Sequence, residues 1–191
     1  MKYIIGRKQN MTQIFGEDGR VTPVTEIRIL PLAEIRKKSV DKDGYEATLL
    51  GYGTQKESRI NKPQRPMGNF LGVKEVRGAG AVETTLAVGD VVKVSGLSKG
   101  KGFQGVVKRH GFAGGSRTHG QKHSEREAGS IGGAGRAGGR VVKGMRMPGR
   151  MGGERVTIKN LKVISVEGDE ILISGAVPGR RGTLLEVKSD N

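Results

Sequence analysis

The sequence predicts a mainly-β fold: a compact antiparallel β-barrel with a long glycine-rich basic extension inserted in it. Segments of alternating apolar and β-branched residues lie on both sides of residues 95–155 and are separated by turn sequences. Residues 95–155 themselves hold 18 of the 33 glycines, and 13 Lys or Arg against three acids. Helical periodicity is confined to two short segments, too short to organise a helical bundle. The two flanks are therefore expected to fold together as one body around the insertion.

An antiparallel barrel of about six short strands is expected. Candidate strands are residues 2–8, 21–30, 45–51, 73–77, 91–95, 156–166, 170–174 and 183–187. Turn sequences such as Lys42-Asp43-Gly44 and Glu167-Gly168-Asp169 separate several of them. Short helices are indicated at residues 31–38, where Leu32 and Ile35 have helical spacing, and at residues 66–71.

The domain organisation follows from charge and glycine content. The body is assigned to residues 1–94 and 156–191, with an irregular surface excursion near residues 55–72. The basic arm is residues 95–155, and its net charge of +10 is about two thirds of the chain's +15. It has too few large apolar side chains to offset the entropy of ordering a glycine-rich backbone. A polyanion would supply the missing free energy, because each Lys or Arg placed on a phosphate releases condensed counterions. RNA is the expected partner.

The composition argues against other classes of function. An anionic membrane is the rival polyanion, but Trp is absent, aromatic residues make up only 4%, and no long apolar run exists, so no membrane partner is expected. The absence of Cys excludes a disulfide framework, a thiolate zinc site and a thiol nucleophile. Lys2 and Arg7 interrupt the N-terminus before an apolar run reaches signal-peptide length, which favours a cytoplasmic location.

The glycine motifs of the arm do not fit a nucleotide site. Three residues separate Gly96 from Gly100, whereas a phosphate-binding loop needs four. Gly133, Gly135 and Gly138 have the dinucleotide spacing but follow no apolar strand. We therefore expect no cofactor and no small-molecule substrate.

Three residues of the arm have the spacing of a possible metal or catalytic site. His119, His123 and Glu127 are four residues apart and would share one helical face. Gly120 weakens such a helix and Lys122 would repel a cation, so no metal site is expected and polar or stacking contacts with RNA are favoured. No catalytic residue is expected either, because the glycine-rich backbone gives a nucleophile no rigid support.

The apolar residues of the arm leave alternatives open. Phe103 and Phe112 either stack on exposed bases or pin the arm to the body. Met145, Met147 and Met151 alternate with basic residues, which favours an extended limb with one apolar and one basic face. The alternative is that these methionines fill the mouth of the barrel.

The RNA-binding residues are predicted to be the cations and histidines of the arm. They are Lys99, Lys101, Lys108, Arg109, His110, Arg117, His119, Lys122, His123, Arg126, Arg136, Arg140, Lys143, Arg146, Arg150 and Arg155. The glycine-rich stretch from Gly129 to Gly139 is too poor in side chains to fold alone, and it is the predicted tip, with Arg136 as its longest side chain.

Several motifs occur in an order that resembles the ribosomal protein three family of the large subunit, in its bacterial form. They are Gly6-Arg7-Lys8, Met11-Thr12-Gln13-Ile14-Phe15, Ser98-Lys99-Gly100-Lys101-Gly102-Phe103-Gln104-Gly105, Thr118-His119-Gly120, Gly129-Ser130-Ile131-Gly132 and Gly175-Ala176-Val177-Pro178-Gly179. The resemblance spans nearly the whole chain. Two departures from the family pattern are Gly133, where many members carry Gln, and His110, where Trp is usual.

The resemblance implies a structural constituent of the large ribosomal subunit in the cytoplasm. It implies a barrel of the kind shared with translation factors, bound near the 3′ end of 23S rRNA, and a role early in subunit assembly. The arm would run toward the peptidyl-transferase centre, with its tip at Gly129, Ser130, Ile131, Gly132, Gly133 and Arg136. Neighbouring large-subunit proteins would be further partners.

Two rival functions remain at this stage. A free-standing RNA-binding or chaperone-like module would bind unrelated RNAs with comparable affinity. An enzyme would depend on His119, His123 and Glu127 for turnover.

Overall fold

The computed structural model describes residues 2–16, 18–77, 83–133, 135 and 138–189. The fold is mainly β, as the sequence predicts. The chain forms two compact units. The body unit comprises Met1–Ser98 with Arg155–Asn191, and the insert unit comprises Lys99–Glu154.

The elements are numbered in chain order. The body unit contains strands β1 (Lys2–Phe15), β2 (Val21–Ile29), β3 (Leu32–Lys38), β4 (Ala47–Tyr52), β5 (Gly72–Arg77) and β6 (Val91–Leu97) before the insertion. After it come β9 (Arg155–Glu167), β10 (Glu170–Ser174) and β11 (Leu184–Ser189). The insert unit contains β7 (Gly102–Gln104), helix α2 (Val106–His110) and β8 (Gly149–Met151). Helix α1 (Val40–Asp43) and two 3-10 helices, Glu57–Arg59 and Lys62–Met67, lie in the body unit.

Six strands of the body unit form one closed antiparallel sheet. Its order is β1-β11-β6-β9-β10-β2, and β2 pairs back with β1. Alternate side chains of these strands point inward and make the core, where Ile4, Ile27, Val94, Ile171 and Leu185 are at most 1% exposed. The two flanks of the insertion therefore fold together, because β6 precedes it and β9 follows it.

A separate three-stranded sheet has the order β3-β4-β5. It contains two of the predicted strands. Its strand β3 covers Leu32–Lys38, so the prediction of a short helix at residues 31–38 is wrong. The pairing of β3 with β4 shifts register between Glu34 and Arg36, so Ile35 is an extra residue in a β-bulge. The bulge puts Leu32 and Ile35, which are three residues apart, in similar half-buried positions. Their helix-like spacing is thus produced by an irregular strand.

Other boundaries also differ from those expected. Residues 95–97 were assigned to the arm but belong to β6, and Arg155 belongs to β9, where it pairs with Leu97. The insertion therefore leaves and re-enters the closed sheet at paired positions. Strand β1 continues to Phe15 rather than ending at residue 8. The helix expected at residues 66–71 does not form, because residues 68–71 are not helical; a 3-10 helix, Lys62–Met67, ends there instead.

A buried carboxylate joins the two sheets of the body unit. Glu186 on β11 accepts hydrogen bonds from both terminal nitrogens of the Arg155 guanidinium, each at 2.7 Å. Its Oε1 also lies 3.0 Å from the Lys74 Nζ on β5. Burial alone would raise the pKa of Glu186, but the hydrogen bonds from Arg155 and Lys74 outweigh it and lower the pKa to about 2. The ionised network therefore stabilises the body unit.

We expect Glu186→Gln to lower the free energy of unfolding by about 2 kcal/mol at pH 7, because the folded state loses its preference for the carboxylate. Since the folded pKa lies below the ordinary value of 4.5, the stabilisation is present above pH 4.5 and is lost as the pH falls toward 2. Chemical denaturation of both proteins at pH 7 and pH 3 measures the difference, which should shrink to less than half at pH 3.

The control is Glu170→Gln, which changes an exposed carboxylate of β10 and should alter stability by less than about 0.5 kcal/mol. A difference between wild type and Glu186→Gln that is equal at both pH values would contradict the assignment.

Candidate nucleic-acid interface

A short two-stranded ribbon brings the two limbs of the insert unit together. Strand β7 pairs with β8 in the register Gly102 with Met151, and the Lys101 N–H donates to the Met151 carbonyl at 2.9 Å. Gly152 follows with φ +74°, and a Cβ there would clash with the Lys99 carbonyl oxygen. The ribbon can form at this point because Gly152 has no side chain.

Helix α2 holds the returning limb through a single carbonyl group. The Arg109 guanidinium donates to the Met147 carbonyl oxygen at 2.7 Å, and the His110 Nε2 lies 3.0 Å from the same oxygen. The His110 ring also lies 6.0 Å from the Phe112 ring, between centroids, at 45°. Arg109 and His110 were predicted to contact RNA, but both are half-buried. In this structure they position the backbone of the insert unit.

Two other predicted RNA contacts are paired with acids. Arg117 forms an ion pair with Glu125 at 2.7 Å, and both side chains are largely exposed. Arg155 lies in the body unit and forms the two hydrogen bonds with Glu186. Its side chain is still 52% exposed.

The remaining predicted cations lie on the surface of the insert unit. Among the described residues, none of these side chains has an ion pair with another: Lys99, Lys101, Lys108, Lys122, Arg126, Arg140, Lys143, Arg146 and Arg150. His119 and His123 are exposed too, and Arg136 lies outside the described residues. A surface with many unpaired cations repels itself and attracts polyanions.

The two histidines do not form a metal centre with Glu127. Within the part of the chain that the structure describes, no group of three or more His, Asp or Glu side chains is arranged to hold a metal ion. His119 has φ +59° and lies in a turn, so these residues do not share a helical face. A spacing of four residues brings side chains together only on a helix, and residues 119–127 do not form one.

The predicted tip is exposed from Gly129 to Gly133. Its Ser130 Oγ accepts a hydrogen bond from the Gly132 N–H at 3.4 Å, and Ile131 is 39% exposed. These residues expose their backbone and only two side chains, those of Ser130 and Ile131.

The two aromatic residues whose roles the sequence left open have different environments in the structure. Phe103 in β7 is 74% exposed, so it does not pack in a core, whereas Phe112 is half-buried beside His110. Exposed Val141 and Val142 had no sequence signal that marked them as surface residues. Phe103 is available to stack on a base.

The methionine segment has the expected alternation but little regular structure. Met145, Met147 and Met151 are half-buried, while Arg146 and Arg150 are exposed. Only Gly149–Met151 forms a strand. The segment therefore has one protected and one basic side without being a continuous strand.

None of the helices in the described ranges is long and apolar enough to cross a membrane.

These features define a basic mainly-β protein with a cation-rich insert unit. The family model for Ribosomal protein L3 matches residues 71–171. The chain is 45% identical to the large ribosomal subunit protein uL3 of Carboxydothermus hydrogenoformans, over 98% of this chain and 96% of that protein. It is 44% identical to the uL3 proteins of Geobacillus sp. (strain WCH70) and of Desulfitobacterium hafniense, over 98% of this chain and 96% and 95% of theirs.

The chain belongs to the ribosomal protein L3 family. The resemblance found in the sequence motifs is confirmed. As a member of this family the chain is a ribosomal protein and not an enzyme.

We expect Gly152→Ala to open the ribbon at the base of the insert unit, because the new methyl group would clash with the Lys99 carbonyl oxygen. The Lys101 amide should then exchange with solvent faster than in the wild type, as hydrogen–deuterium exchange would measure. Gly153→Ala is the matched control: Gly153 has φ +70° and open space around its Cβ position. Both substitutions add left-handed strain of about 1 kcal/mol, so equal exchange in the two variants would refute the importance of the close contact.

Proposed function

We propose that this protein is a structural constituent of the large ribosomal subunit that binds 23S rRNA through its insert unit. The observation that carries the proposal is the set of unpaired, exposed cations on that unit, together with membership of the ribosomal protein L3 family. Neighbouring large-subunit proteins are further partners, and the subunit places the protein in the cytoplasm. In this role the protein performs no chemistry.

The physical basis of the proposal is counterion release combined with ordering. Each phosphate neutralised by a lysine or arginine returns condensed cations to the solvent, and binding weakens steeply with salt. The insert unit has only short regular elements, and Val106 is its one fully buried large apolar side chain among the described residues. Phosphate contacts would stabilise an arrangement that its own packing supports weakly.

Specific parts of the chain have different proposed roles. The closed six-stranded sheet of the body unit is a barrel of the translation-factor kind, which anchors the protein near the 3′ end of 23S rRNA. The insert unit runs toward the peptidyl-transferase centre, with residues 129–133 and Arg136 at its tip. The exposed Phe103 ring stacks on an unpaired base. The family resemblance and the exposed basic surface support these roles.

The paired cations have a positioning role in this proposal. Arg109 and His110 hold the Met147 carbonyl within the insert unit, and Arg155 holds Glu186 within the body unit. These contacts fix the local backbone of each unit, and the cations without ion-pair partners bind the RNA. The rest of the insert unit, which its own packing supports weakly, becomes ordered on the RNA and therefore binds while the RNA itself is folding. That is the basis for a role early in subunit assembly.

We expect the tagged protein to sediment with the large subunit after a wash in high salt. A protein held in a folded rRNA site by shape and close packing as well as by charge is retained under these conditions, whereas a free-standing RNA-binding module held by phosphate contacts alone is released, because those contacts weaken steeply with salt. Sucrose-gradient sedimentation of a cell lysate measures the distribution. Recovery of the washed protein mainly at the top of the gradient would contradict the proposal.

Neutralising three exposed lysines of the insert unit, with Lys99→Gln, Lys101→Gln and Lys108→Gln together, should weaken binding to deproteinised 23S rRNA. If the wild type neutralises about ten phosphates, the plot of log affinity against log salt has a slope of roughly −7 to −9, and the triple variant should be less steep by about 2 to 3. The matched control changes three exposed cations of the body unit, with Arg20→Gln, Lys42→Gln and Lys159→Gln. Equal slopes for the two triple variants would remove these lysines from the RNA-binding surface.

A further inference from the structure

The body unit carries a second, ordered basic surface outside the insert unit. We call residues 54–71, between β4 and β5, the body excursion. Its chain is tied to β4, because the Leu71 N–H donates to the Tyr52 carbonyl at 3.0 Å. Within the excursion the Gln55 N–H donates to the Asn69 carbonyl at 3.1 Å. Ile60 is buried, with 5% of its surface exposed. The excursion is therefore attached at its ends and anchored in its middle.

One aromatic ring fixes the returning end of the excursion. Phe70 packs so closely on two glycines that an added Cβ would lie 2.5 Å from its ring at Gly51 and 2.8 Å at Gly68. Any larger residue at either glycine would displace the ring. Pro63 and Pro66 further restrict the backbone of the second 3-10 helix. A loop held in this way loses little conformational freedom on binding.

Four cations of the excursion occur at every third position. They are Lys56, Arg59, Lys62 and Arg65, and all are exposed. In a 3-10 helix, residues three apart lie on the same side and are separated by about 6 Å along the axis. This geometry applies directly to Lys62 and Arg65, which both lie in the helix Lys62–Met67. Lys62 and Arg65 therefore present two charges on one side, as contacts with neighbouring phosphates of one strand require, while Arg59 belongs to the preceding 3-10 helix, Glu57–Arg59, and Lys56 to its N-terminal flank.

The row has almost no compensating charge of its own. Glu57 is the single acid of residues 54–71, and it leaves the excursion with a net charge of +3. In the described chain, none of the four cationic side chains has an ion pair or a hydrogen bond with another residue. Four unpaired cations held on a rigid surface repel one another, and a polyanion removes that repulsion.

The chemistry of this surface favours RNA over an anionic membrane. Membrane binding needs apolar anchors beside the charges, and Met67 is the one large apolar side chain of the described excursion that is well exposed, at 42%. Phosphate binding needs only charges at a regular spacing. Lys62 and Arg65 supply charges at such a spacing.

We propose that Lys56, Arg59, Lys62 and Arg65 form a second RNA-binding site, in which Lys62 and Arg65 contact neighbouring phosphates of one rRNA strand and Lys56 and Arg59 add further positive charge. This inference rests on the proposed function, because it takes the RNA to be that of the large subunit. It assigns RNA contacts to the body unit that are separate from those of the insert unit.

The test uses the full-length chain and deproteinised 23S rRNA. Replacing Lys62 and Arg65, with Lys62→Gln and Arg65→Gln together, should make the plot of log affinity against log salt less steep by about 1.5, since each lost phosphate contact changes the slope by about 0.7 to 0.9. Affinity near 0.1 M salt should fall by about tenfold or more. The matched control, Arg20→Gln with Lys42→Gln, removes the same charge at two exposed positions elsewhere in the body unit and should retain the wild-type slope.

A second measurement needs no substitution. The Lys62 amine of the wild-type protein should be protected from acylation when 23S rRNA is bound, while the exposed Lys42 amine should remain reactive. An unchanged slope in the Lys62/Arg65 variant, or full reactivity of Lys62 in the complex, would overturn the inference. Protection of Lys62 by phosphatidylserine vesicles but not by rRNA would overturn it as well. Failure of the wild type to bind 23S rRNA at all would instead overturn the proposed function.

Discussion

The structure depends above all on the pairing of β6 with β9. These strands are neighbours in the closed sheet although the whole insert unit separates them in sequence. The entropy cost of closing a loop rises only slowly with its length, so the sheet tolerates a long insertion. Leu97 and Arg155 are register partners, and Glu186 binds the Arg155 guanidinium at that position. The ends of the insertion are thus fixed by the body unit, whatever conformation the residues between them adopt.

The two units display their cations in different ways. The body excursion is fixed by Phe70 against Gly51 and Gly68, so its row of charges exists before any partner binds. The insert unit has a short ribbon, a five-residue helix and a clamp on the Met147 carbonyl, and most of its cations lie on irregular backbone. Binding to a preformed surface loses little entropy, whereas binding to the insert unit also orders the chain. Within the functions proposed above, one chain therefore combines a preformed RNA contact with an adaptable one.

The sequence predicts the strands well and their partners poorly. Alternation reveals that residues 21–30 and 170–174 are strands, because one face of each is buried. Alternation cannot assign a strand to a sheet, and two predicted strands proved to lie in the second sheet with β3. The bulge at Ile35 imitates helical spacing, so local periodicity misassigned that segment. The cations that are paired were also unpredictable, because the partners of Arg109 and Arg155 are a carbonyl and a carboxylate distant in sequence.

Residues 129–133 of the tip differ from the limbs of the insert unit because none of them is charged. Residues 129–133 are all exposed, and they contribute only the side chains of Ser130 and Ile131. The Gly132 N–H already donates to the Ser130 Oγ. A segment with no charged side chain gains nothing from counterion release. Its contribution within the proposed function must come from shape and backbone hydrogen bonds, because glycine allows a close approach that larger residues prevent. Within the proposed function, affinity and fit are therefore supplied by different parts of the same insertion: the cations along its limbs and Arg136 provide the first, and the uncharged residues 129–133 provide the second.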